Sequence, residues 1–143
     1  MVRASGRYAL ADTAQQVVGG FLLAGAFVVT EEVWVLASNM SVLQSALTVV
    51  IVFAIGYGAL YEADDDRDPE REAEVGGVPI RFVSLIAVAY LSVLLLALAL
   101  DAPDTFLGES TESTAELAYV TFKAVSVGAI FSVVGAATAD SVF

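Results

Sequence analysis

Four long apolar stretches, at residues 11–30, 43–61, 79–100 and 115–137, alternate with short polar connections along this chain. A helix rises about 1.5 Å per residue, and crossing a hydrocarbon layer roughly 30 Å thick takes about 20 apolar residues. Each stretch meets that length, so the pattern predicts membrane-spanning helices over 11–36, 42–61, 79–100 and 114–138. Short connections make successive spans antiparallel. The expected fold is all-α: one polytopic membrane domain, an antiparallel four-transmembrane-helix bundle without internal repeat.

Local signals set the boundaries. The first helix is expected to run on past Thr30 through Glu31, Glu32 and Trp34, with Trp34 at the membrane–water boundary and Asn39 and Ser41 forming a tight turn. Pro79 opens the third helix where a missing N–H costs nothing, after the loose Gly76–Gly77 pair. In STESTAEL, Ser and Thr offer caps and Glu112 and Glu116 oppose the helix dipole, while fraying is expected near Asp140.

Arginine sets the orientation. Arg3 and Arg7 precede the first stretch, Arg67, Arg71 and Arg81 lie in or beside the second connection, and the first and third connections have no base. Positively charged loops stay inside, so both termini and the acidic loop 62–78 are expected in the cytoplasm, with the acidic loop 101–113 outside. The opening also has the form of a signal peptide, with Ala24 and Ala26 as a small-x-small pair, but reads as a first membrane helix. A multi-pass protein of the cell membrane follows, with the lipid bilayer as first partner.

Composition adds a statement about the aqueous surface. The chain has 17 acidic and 6 basic residues, a net charge of -11, and a mean hydropathy of +0.80. Acidic loops of this kind suit very salty water, where screening relieves self-repulsion, and point to a halophile. With no cysteine and no histidine, disulfides, thiolate metal sites and histidine-based catalysis are excluded. No enzyme, cofactor, metal or nucleic-acid role is expected.

Lys123 lies about 12 Å inside the last helix, where an unpaired charge costs on the order of 2.5–3.5 kcal/mol. The topology brings Glu31 and Glu32 to the same half of the bundle, so Lys123 is expected to pair with one of them. The alternative is a lysine that snorkels to water beside Glu116. At the other end, Asp12, Gln15 and Gln16 should share a level with Asp140, so polar groups would mark both mouths of a path between the first and last helices.

Small residues recur every fourth position as Ala124, Gly128, Ser132 and Ala136, and more briefly as Gln16, Gly20 and Ala24, and as Ala54 and Gly58. They predict close helix contacts, either within one bundle or on a self-association face that builds a homo-oligomer. The leucine-rich third helix is expected to face lipid. Asp64, Asp65 and Asp68 spell DDxxD, and Asp64, Asp66 and Asp68 imitate a calcium loop, but Pro69 and Val75 stand where that loop requires Gly and Glu. The run reads as a solvated acidic loop. Ser126, three residues from Lys123, lacks the oxyanion site that a Ser-Lys dyad would need.

The stretch with Thr30, Glu32, Trp34, Met40 and Ser41 resembles the signature of the integral membrane proteins grouped as domain of unknown function 2391. Lys123 and Ala124 ahead of Val127, Gly128 and Ala129 are similar to that family's last segment. The resemblance implies a helical membrane fold, emphasises Glu32 and Lys123, and marks this chain as a compact form in which a partner or self-association replaces a missing part. It implies no activity. Two functional readings follow: an oligomeric channel or carrier for a small ion, and a non-conducting structural or assembly subunit.

Overall fold

A computed structural model describes residues 10–28, 30–62, 74–75, 77–107 and 113–142. The elements run α1 (Leu10–Val28), α2 (Glu31–Ser38), α3 (Val42–Tyr57) with a π-helical turn at Gly58–Glu62, β1 (Glu74–Val75), β2 (Val78–Pro79), α4 (Ile80–Ala99), α5 (Ala102–Leu107) and α6 (Thr114–Val142). The two strands form a small antiparallel hairpin in which Glu74 faces Pro79, and Gly77 turns it with φ of +87°. All larger elements are helices.

The first apolar segment is broken rather than continuous. Thr30 is extended, with φ of -103° and ψ of 135°, and α2 starts afresh behind it. Two causes act together: Val28, Val29 and Thr30 are consecutive β-branched residues that fit a helix poorly, and Glu31 and Glu32 favour the positive end of a new helix dipole. Past α2, Ser41 and Gln44 form a reciprocal cap, with Gln44 N–H donating to Ser41 Oγ at 3.2 Å and Ser41 N–H to Gln44 Oε1 at 2.8 Å. The connection at 101–113 also differs from a plain loop, since Asp101 at φ of 56° turns the chain into α5.

Among the described residues, three helices are long and apolar enough to cross a membrane: Val42–Tyr61, Ile80–Ala99 and Thr114–Asp140. Packed along α4 and α6, α1 carries Asp12, Thr13, Gln15 and Gln16 in its first two turns, which dilute its apolar character. At the other end of the chain, α6 does not fray at Asp140 but continues to Val142.

The leucine-rich α4 is not the lipid-facing helix. Its Arg81, Leu85, Ala89, Val93 and Ala97 are buried against α1 and α6, and 39% of its span lies inside, against 22% for α3. Leucine content says nothing about which face turns inward, and small Ala and Ser residues between the leucines let α4 fit the centre. Trp34 turns into the protein rather than to its surface: it is fully buried and stacks on Phe106 of α5 at 6.1 Å between ring centroids.

Close contacts follow the small residues of α1 and α6. Gly19 and Gly135 touch backbone to backbone, so a methyl on either would collide with the other's carbonyl. Ser132 Oγ donates to the Gly20 carbonyl at 3.0 Å, and Gly128 lies against Val93. Ala124, Ser132 and Ala136 are buried within the chain. The expectation for the second span is out of register: Ala54 is exposed and Gly58 has open space beside it, whereas Val52 and Gly56 make the contact with α4 and α6. The side chain of Ala24 lies outside the described part.

Candidate functional site: a buried charge cluster

Asp12 and Gln16 stand one turn apart on α1 and so share a face. Arg81 and Ser84 do the same at the start of α4, and Asp140 closes the set from the end of α6. Asp12, Gln16, Arg81 and Asp140 are all buried, with Arg81 only 5% exposed. Sequence spacing had suggested the level shared by Asp12, Gln16 and Asp140; the structure adds the cation between them.

Arg81 Nη1 donates to both Asp140 oxygens at 2.9 Å, and lies 3.2 Å from Asp12 Oδ1. Its Nη2 donates to Asp12 Oδ2 at 3.3 Å. Gln16 Nε2 donates to Asp140 Oδ2 at 3.1 Å, while its Oε1 accepts from Ser84 Oγ at 2.7 Å. Thr13 Oγ1 and Ser84 Oγ lie 3.3 Å apart. One guanidinium therefore ties three helices together.

Helix dipoles make this placement instructive. A cation in the first turn of α4 and a carboxylate in the last turn of α6 each sit at the end that disfavours them, at a cost of about 0.3–1 kcal/mol apiece. Burial raises the cost of either charge alone much further. Their direct contact offsets both, and the two misplaced charges make sense only as a pair. Arg81 is the residue that sequence reasoning missed, having been counted as a loop base with Arg67 and Arg71. The available signal was position: Arg81 lies past Pro79, inside the apolar segment.

At the opposite end, Lys123 is 4% exposed. Seventeen residues separate it from Asp140, roughly 25 Å along α6. Its ammonium donates to the Met40 carbonyl at 2.9 Å and lies 4.5 Å from the centre of the Tyr119 ring. The expected pairing with Glu31 or Glu32 does not form, and neither does the snorkelling alternative. The break at Thr30 explains why: it puts both glutamates in the exposed first turn of α2, while the far end of that helix, about 12 Å away, reaches Lys123. A cation at a helix C-terminus is favourable by about 0.3–1 kcal/mol, and by up to about 2 kcal/mol where partly buried.

Between the two polar ends, α1, α4 and α6 approach closely around Gly20. A methyl on Gly20 would approach Ser132 Oγ and Ser92 Oγ at 3.1 Å each, one turn from the Gly19–Gly135 contact. Tyr90 Oη and Ser126 Oγ are both buried without a hydrogen-bond partner among the described residues. Ser126 makes no dyad with Lys123, whose ammonium is engaged at Met40. Among the described residues no group of three or more acids could hold a metal ion. Asp64, Asp65, Asp66 and Asp68 lie outside the described residues.

The family described as "Putative integral membrane protein (DUF2391)" matches residues 3–140. No curated protein and no solved structure matches the chain.

Proposed function

Since the chain belongs to the DUF2391 family of integral membrane proteins, we propose that it serves as a non-conducting structural or assembly subunit of the membrane. Its four long helices, α1 included, would cross the bilayer with both termini and the Arg81 cluster on the cytoplasmic side, following the arginine bias. The supporting observation is the backbone contact between Gly19 and Gly135, which brings α1 and α6 too close together for water to pass between them at that level. The charges then act as fixings. Arg81 holds α1, α4 and α6 in register at one end, and Lys123 secures α2 at the other. The two stretches that carry the family resemblance meet at this second fixing, between Met40 and Lys123.

A second reading, transport of a small ion by an oligomer, draws on one observation. Among the described residues the cluster has two carboxylates around one guanidinium, and ionisable groups in membrane helices often mark ion pathways. Flux assays on purified protein in liposomes separate the readings. The structural role predicts no flux of sodium, potassium, protons or chloride above that of empty liposomes. Flux that disappears in folded Asp12→Asn or Asp140→Asn would establish the ion-carrying role instead.

A further inference from the structure

A groove of about 450 Å³ runs between α4 and α6 on the Lys123 half of the molecule, within the roughly 300–1,000 Å³ usual for small-molecule sites. Its walls are almost wholly apolar: Leu91, Leu94 and Leu98 from α4 face Leu117, Ala118 and Val125 from α6. Pro103 of α5 and Thr114 line it at one end, and the Tyr90 and Phe122 rings, stacked at 6.3 Å with 13° between their planes, line it at the other.

We infer that this groove holds one hydrocarbon tail of a membrane lipid as a retained component of the protein. Three observations select that occupant. Both walls belong to helices long and apolar enough to cross the bilayer, so the groove opens into hydrocarbon. It is continuous with the lipid-facing surface, because Leu91, Leu98 and Phe122 on its rim are about half exposed. Its length also fits: Tyr90 to Leu98 spans about 12 Å and Thr114 to Val125 about 16 Å, close to the half-thickness, roughly 15 Å, that one leaflet's tails occupy. A tail entering beside Thr114 and ending against the Tyr90–Phe122 pair fills the groove.

The test is native mass spectrometry of the full chain released from nanodiscs. One set of nanodiscs contains straight-chain acyl phospholipids, the other lipids with methyl-branched isoprenoid tails. Wild type should retain one lipid per chain. Ala118→Trp and Thr121→Phe, which fill the groove from α6, should lower that occupancy at least tenfold, and Leu47→Trp on the exposed face of α3 should leave it unchanged. Retention from either set supports the inference and names the tail. A lipid-free wild type in both sets overturns it, as does equal retention by groove-filled variants. Wild-type dimers that become monomers on filling the groove would mean that a second copy covers it, and would also overturn it. Photolabelling of wild type with a tail-diazirine lipid needs no variant: label concentrated on residues 90–98 and 114–125 supports the inference, and label found only on α3 contradicts it.

Discussion

Replacing Arg81 with Met removes the guanidinium at the centre of the cluster while keeping most of the side-chain volume. Asp12 and Asp140, fully and almost fully buried, then face each other without the cation that now lies 2.9–3.3 Å from their oxygens. Breaking a buried pair from one side costs about 3–5 kcal/mol, because the remaining charge stays desolvated. The same principle predicts a rescue. In Arg81→Met combined with Asp12→Asn and Asp140→Asn the charges of Asp12, Arg81 and Asp140 are all gone, and the deficit should shrink to about 1–2 kcal/mol, the loss of charge-assisted hydrogen bonds. Denaturant unfolding in mixed micelles, followed by circular dichroism, measures both. A double-mutant cycle between Arg81→Met and Asp140→Asn should give a coupling of about 2–3 kcal/mol, since contacting charges are not additive. An Arg81→Met loss below about 0.5 kcal/mol, the range of ordinary surface substitutions, would show that the cluster does not hold the helices.

Three further outcomes follow from packing. Gly135→Ala should destabilise by at least about 1–3 kcal/mol, because its methyl meets the Gly19 carbonyl rather than a side chain that can yield, whereas Gly58→Ala, with open space around it, should be neutral or slightly stabilising; the same unfolding assay ranks them. Lys123→Met should cost about 1–2 kcal/mol through the lost contact to Met40, and Glu31→Gln and Glu32→Gln less than about 0.5 kcal/mol; a Glu32→Gln loss equal to that of Lys123→Met would restore the ion pair. Trp34 is the single tryptophan and fully buried, so its emission should be blue-shifted and resist quenching by brominated lipid tails, and strong quenching would place it at the surface.

Apolar length was the legible part of this fold, because a run of about 20 residues is a solvent statement that needs no tertiary contact. The inner set of Asp12, Gln16 and Asp140 was legible for the same reason, since depth follows from counting residues along a helix. Which face turns inward was not. Ala54 and Gly58 have the same spacing as Gly128 and Ser132, yet only the latter pair meets another helix, and the inward position of α3 is Gly56. The kink at Thr30 was overlooked because each residue around it is tolerated in a helix singly; the β-branched run and the adjacent glutamates count only together. That error moved the glutamates to the wrong place and produced a partner for Lys123 that the chain does not use. Arg81 was hidden by the counting rule that orients the protein, which treats every arginine near a loop as equivalent.

The arrangement of α1 beside α4 at the charged end carries the whole account, and the natural absence of cysteine makes it directly measurable. Thr13 Oγ1 and Ser84 Oγ lie 3.3 Å apart, so cysteines at these two positions fall within reach of a disulfide. Mild oxidation of Thr13→Cys/Ser84→Cys in native membranes should give a rapid intramolecular cross-link, seen as a mobility shift after protease nicking fails to separate the fragments. A chain that stays reduced under conditions that oxidise accessible thiols would mean that α1 and α4 do not meet there, and that Arg81 does not join the helices.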